Sequence, residues 1–87
     1  MKNNSSIHQV LRRAENELAA IADHAMLEAE ILLAHVLQKP RSFLHAWPQQ
    51  VLTEAQLTQF NDLIRRRLRR EPIAYLTGTK EFWSLLL

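Results

Sequence analysis

Five arginines fall within six positions, Arg65, Arg66, Arg67, Arg69 and Arg70, and lead into Glu71-Pro72 and a stretch holding Tyr75, the single glycine Gly78, Phe82 and Trp83. Such a cluster has two readings. It is a phosphate-binding patch for nucleic acid, or it is a solvated helix end whose cations suit the negative pole of the helix dipole. Adjacent positions on a helix lie about 100° apart, so these guanidinium groups spread around the axis and cannot form one tight clamp. A structural, interdomain or protein-contact role is therefore expected ahead of nucleic-acid binding. Trp47, Tyr75, Phe82 and Trp83 could stack on bases, but they lack the sheet of an RNA-recognition module. Core packing or a docking surface suits them better.

Other chemistry is thinly represented. The four histidines, His8, His24, His35 and His45, include no i, i+4 pair, and there is no cysteine, so neither a zinc site nor thiolate chemistry is expected. Glu28 and Glu30 stand two apart and point to different helix faces, which rules them out as a catalytic carboxylate pair. Neither a nucleophile elbow nor a glycine-rich loop can be built with one glycine. The chain by itself is expected to hold neither a dinucleotide nor S-adenosylmethionine in a strand–loop–helix manner.

Eighty-seven residues, 47% of them hydrophobic and with a net charge of +2, suit one folded domain with a modest core. The polar start Met1-Lys2-Asn3-Asn4-Ser5-Ser6 has no signal-peptide pattern. No apolar run approaches the roughly 20 residues of a membrane span. The expected location is the cytoplasm.

The elements that must position the arginines follow from spacing. After a frayed terminus at residues 1–5, Ser6 and Gln9 form a capping box, and Ile7, Val10, Leu11, Ala14, Leu18 and Ile21 make one apolar stripe, predicting a helix over 6–22. Asp23 is placed to cap the next helix, over 25–38. Its apolar residues surround most of the circumference, so it should be the central, most buried helix. Pro40 ends it. Arg41–Trp47 is a short helix or turn offering Phe43, Leu44 and Trp47 to the core, and residues 48–52 connect onward. A second capping box, Thr53 and Gln56, starts a helix over 54–70 with Leu57, Phe60, Leu63, Ile64 and Leu68 on one face. Pro72 suits the first position of a last short helix and Gly78 the left-handed residue that closes it. The fold class is all-α, a small bundle of four to five helices over residues 1–80, with residues 81–87 beginning an extended linker.

Three sets of residues together resemble a known family. They are Arg66-Arg67 followed by Glu71-Pro72-Ile73-Ala74-Tyr75-Leu76-Thr77-Gly78, then Glu81-Phe82-Trp83, and upstream the helix Glu28-Ala29-Glu30-Ile31-Leu32-Leu33-Ala34-His35-Val36-Leu37 with Arg41 after it. Over about residues 7–87 this is similar to the N-terminal domain of the release-factor glutamine methyltransferases, the HemK/PrmC family. The resemblance implies a domain that recognises a class 1 peptide-chain release factor. It also implies a following Rossmann-like domain that uses S-adenosylmethionine to methylate the glutamine of the release factor's Gly-Gly-Gln motif. That second domain, with its cofactor site and Asn-Pro-Pro-Tyr motif, is missing from these residues, so the chain alone should be catalytically inactive. Arg65, Arg66, Arg67, Arg69, Tyr75, Phe82 and Trp83 are the candidate partner or interdomain contacts. Arg70 departs from the family, which often has glycine before Glu-Pro. The alternative from a different class is a free-standing helical module binding RNA or protein.

Overall fold

The computed structural model describes residues 5–77. Five helices make the fold: α1 Ile7–Leu18, α2 Ala25–Leu37, α3 Arg41–Ala46, α4 Glu54–Leu68 and α5 Ile73–Thr77. Helix α2 packs against each of the other four, α4 also meets α1 and α5, and no strand occurs among the described residues. The expected all-α bundle with a central second helix is what forms. Gly78, Phe82, Trp83 and the linker at 81–87 lie outside the described residues.

One core holds the helices together. Ile7, Val10, Leu11, Ala14 and Leu18 of α1 meet Ala25, Ala29, Leu32 and Leu33 of α2, and Phe60, Leu63 and Ile64 of α4 close the third side. Leu44, Leu52 and Leu76 add one anchor each from α3, the connection after it and α5. Fully burying such a side chain stabilises by about 1.5–3 kcal/mol. Phe43 on α3 and Ile73 on α5, both partly buried, pack beside these anchors.

Both capping boxes form as expected. Thr53 Oγ1 accepts from the Gln56 amide while Gln56 Oε1 accepts from the Thr53 amide, at 3.1 and 2.9 Å. Ser6 and Gln9 do the same at the start of α1. The two remaining free amides of that turn are met from far along the chain: Ile7 donates to the Gln50 carbonyl at 2.8 Å and His8 to the Pro48 carbonyl at 2.9 Å. Unsatisfied amides at a buried helix start are costly, so this connection serves as a distant cap. Leu52 also donates to the Ser5 carbonyl, and Ser6 pairs with Val51 in an isolated antiparallel bridge. Ser5 is therefore tied down, not frayed.

Several boundaries differ from the sequence expectation. Helix α1 stops at Leu18 rather than at 22, because the chain must reverse to lay α2 against α1. The Leu18 carbonyl takes both the Ile21 and the Ala22 amides, tightening the exit. The N-cap of α2 is His24, with no side-chain cap bond, so Asp23 is not the cap. Leu27 lies on the open side of α2. Of the three residues of α3 offered to the core, Leu44 is buried and Phe43 partly buried, but Trp47 remains 56% exposed. Pro72 precedes α5 by one position, its carbonyl accepting from Tyr75 and Leu76.

Two helices end in the same way. After α2, Gln38 takes φ 58°, its amide reaching the His35 carbonyl while Lys39 reaches Ala34. After α4, Arg70 takes φ 74°, its amide reaching Arg67 while Glu71 reaches Arg66. These paired bonds are the Schellman pattern, whose left-handed residue is usually glycine. Neither position holds one.

Two outcomes test this packing. Leu33→Ala should cost about 2–5 kcal/mol in urea unfolding, and Ile31→Ala clearly less since Ile31 is only partly buried. Equal costs would mean that the assigned inner face of α2 is wrong. Arg70→Gly should raise stability by about 1 kcal/mol, since it relieves a left-handed non-glycine residue.

Candidate functional site

The candidate residues gather where α4 ends and α5 begins. Helix α4 winds its arginines around its last turn, and the reversal at Arg70 brings Glu71 back beside them. Their guanidinium groups then divide by what they touch. Arg67 is the least exposed. Its Nε lies 2.8 Å from Glu28 Oε1, Nη2 reaches Glu28 Oε2 at 3.4 Å, and Nη1 donates to the Glu71 carbonyl at 3.3 Å. The two side chains are only 18% and 19% exposed, so this bidentate pair is weakly screened. One residue thus joins α4 to the first turn of α2 and holds the segment that starts α5. Arg66 pairs with Glu71 Oε1 at 3.0–3.1 Å through Nη2 and Nε.

Arg65, Arg69 and Tyr75 face outward. Arg65 makes a surface pair with Asp62 at 3.2 Å and lines a groove between α1 and α4 with Arg13, Glu17 and Asn61. Arg13 is held across that groove by a 2.7 Å bond from Nη2 to Asn61 Oδ1. Arg69 is exposed, with no ion pair among the described residues, and Tyr75 is 69% exposed on α5, which buried Leu76 fastens down. Arg65, Arg66, Arg67, Arg69 and Tyr75 are thus close in the fold, but two of the arginines are engaged internally. Phe82 and Trp83 lie outside the described residues.

A second charged centre lies between α2 and α3. Glu30 is buried on α2, its side chain 9% exposed, and its Oε1 accepts from Arg41 Nε and Nη2 at 3.2 and 3.1 Å. His45 Nε2 stands 3.4 Å from the other carboxylate oxygen. Both partners come from α3. Glu28 and Glu30 do point to different faces, and each meets a different helix. The Arg41 that follows Glu30 by eleven residues was the one legible hint. His35 is half-buried, and its carbonyl accepts from Gln38 Nε2 at 2.7 Å. Among the described residues no three histidine, aspartate or glutamate side chains gather as a metal site, and no helix is long and apolar enough to cross a membrane.

These differences predict unequal costs. A double-mutant cycle on Glu28→Gln and Arg67→Gln should show coupling of about 1.5–3 kcal/mol, as for hydrogen bonds to charged groups away from water. Arg65→Gln should change stability by less than about 1 kcal/mol, as for exposed pairs. Urea midpoints with constant slope measure both, and equal effects would remove the distinction between inner and outer arginines.

The model of the PrmC N-terminal domain matches residues 9–78. The release factor glutamine methyltransferase of Aliivibrio fischeri is 46% identical over 94% of this chain and 29% of its own length. That of Shewanella oneidensis is 39% identical over 98% of this chain and 30% of its own. The bifunctional methyltransferase of Rickettsia conorii is 45% identical over 91% of this chain and 15% of its own. This chain therefore spans under a third of the curated relatives named here. No solved structure matches it. The match covers α1 from Gln9 through α5 and includes Arg41, both carboxylates of α2 and the α4–α5 reversal, so the chain belongs to the PrmC N-terminal domain family.

Proposed function

We propose that this chain is the release-factor-recognition domain of an S-adenosylmethionine-dependent protein-glutamine methyltransferase, residues 1–80 forming the recognition unit and 81–87 the start of the linker to a methyltransferase domain. The observation that carries the reading is the close identity, over nearly the whole chain, to proteins named release factor glutamine methyltransferase. The fold supports a recognition role. The described residues form helices only, with no strand, glycine loop and helix to receive the cofactor, so they do not fit S-adenosylmethionine. Cofactor and chemistry belong, on this reading, to the rest of the protein.

The α4–α5 end is assigned the contacts at the junction, with the release factor and with the following domain. Arg65, Arg69 and Tyr75 present the residue types enriched at protein interfaces, and Phe82 and Trp83 join them by their place in the chain. Arg66 and Arg67 act one step removed, holding α5 in position through Glu71 and Glu28. The reading in which these arginines bind nucleic acid is disfavoured by the same geometry. Three of the five are engaged by carboxylates, Arg65 by Asp62, Arg66 by Glu71 and Arg67 by Glu28, which leaves few for a phosphate backbone.

The test uses the full-length protein carrying Arg65→Gln, Arg69→Gln and Tyr75→Ala together. The KM for the release factor should rise about tenfold or more, as when interface anchors are truncated, while S-adenosylmethionine binds as before. Unchanged methylation kinetics, or tight RNA binding abolished by the same substitutions, would overturn the assignment.

A further inference from the structure

Helix α5 cannot hold its own direction. It has five residues, Ile73–Thr77, and an isolated helix shorter than about 12–15 residues is marginal in water. Leu76 is buried and Ile73 partly buried, so α5 lies against the bundle. Apolar burial is not directional. It keeps α5 on the bundle without fixing how the helix is turned there. The entry to α5 adds strain of its own, since Arg70 is a non-glycine residue at φ 74°.

Polar bonds supply the direction. Arg66 and Arg67 both bond Glu71, but in different ways. Arg66 meets the Glu71 carboxylate, which ties the turn to α4. Arg67 donates through Nη1 to the Glu71 carbonyl, while its Nε and Nη2 hold the two carboxylate oxygens of Glu28. A guanidinium is a planar, rigid fork. With two of its nitrogens seated on Glu28, the direction of the third is set, and with it the place of the Glu71 carbonyl. Glu28 stands in the first turn of α2, the helix on which the other four pack, so the reference for α5 is the core itself. The pair is largely shielded from water, which keeps it strong in salt.

The outward-facing contacts depend on that alignment. Arg65 and Arg69 belong to the end of α4, and Tyr75 belongs to α5, beyond the reversal at Arg70. A binding surface split between two elements loses affinity when one of them must be ordered on binding, and holding both beforehand removes that cost. We infer that Glu28, acting through Arg67, is a positioning residue for recognition of the protein substrate: it sets Tyr75 of α5 against Arg65 and Arg69 of α4 before the substrate arrives. This rests on the release-factor reading above. It also separates the two inner arginines, since Arg67 aligns α5 with the core whereas Arg66 closes the turn.

The experiment compares the full-length protein with its Glu28→Gln and Arg67→Lys variants, and with Arg41→Gln as a control. Glu28→Gln removes the charge that seats the guanidinium. Arg67→Lys keeps the charge but puts one nitrogen where the guanidinium places three, and it serves where Glu28→Gln does not fold. Arg41→Gln breaks the other arginine pair of α2, on the α3 side. The first two variants should raise the KM for purified release factor severalfold, with kcat within about twofold, as for lost binding shared by ground and transition states. S-adenosylmethionine should bind as before. The amides of Tyr75 and Leu76 donate to the Pro72 carbonyl. In these variants they should exchange with solvent about tenfold faster or more, the effect of losing a hydrogen bond to a charged group. Arg41→Gln should leave both readings as they are.

Unchanged exchange at Tyr75 and Leu76 in Glu28→Gln and Arg67→Lys overturns the positioning role. So does a rise in KM that Arg41→Gln reproduces, which would report lost stability. Unchanged KM in both variants, beside a raised KM in the Arg65, Arg69 and Tyr75 variant, overturns it too and leaves the recognition reading standing. Unchanged KM in all of these variants overturns both.

Discussion

Helix α2 packs against each of the other four helices while Leu27 stays on its open side, and much of the rest of the molecule answers that constraint. A helix so placed can keep few polar groups, and each one it keeps must be matched where it lies. Its inner face is made of Ala29, Leu32 and Leu33, all fully buried. Its two carboxylates, Glu28 and Glu30, flank that face and each takes an arginine from a neighbour. Glu28 engages α4 and Glu30 engages α3. The bundle is held by apolar burial, and these two pairs fix the direction in which the neighbouring helices sit on α2. No buried side-chain polar atom among the described residues lacks a partner.

The helix ends are the second element of the architecture. Both α2 and α4 stop with a left-handed residue and the same pair of backbone bonds, yet the residues there are Gln38 and Arg70. The conformation that glycine favours persists without it, because the amides of Arg70 and Glu71 still find the carbonyls of Arg67 and Arg66. The local strain is outweighed by two backbone bonds and by the pairing of Arg66 and Arg67 with Glu71. The turn that begins α5 is therefore held from several sides.

These features divide the surface. The α4–α5 end is charged and ordered by internal ion pairs, whereas the α3 end leaves the apolar Trp47 exposed. The relatives that this chain matches over under a third of their length are named release factor glutamine methyltransferases.

How far the sequence alone reaches can be read from particular residues. Period and caps sufficed for α1 and α4, because Ser6 with Gln9 and Thr53 with Gln56 are local signals and the 3–4 spacing of apolar residues is a property of each helix by itself. The dense arginines and the family resemblance were equally legible. Tertiary structure decided which arginines are free. Arg67 lies thirty-nine residues from Glu28, and only the packing of α4 on α2 brings them together. It also decided that Pro48 and Gln50 cap α1, that α1 ends at Leu18, and that Trp47 stays outside while Leu44 goes in. Each of these depends on contacts between segments far apart in the chain, where neither propensity nor spacing carries information. Residue type left Trp47 to the core or to a docking surface, and the packing of α3 buries Leu44 and leaves Trp47 56% exposed.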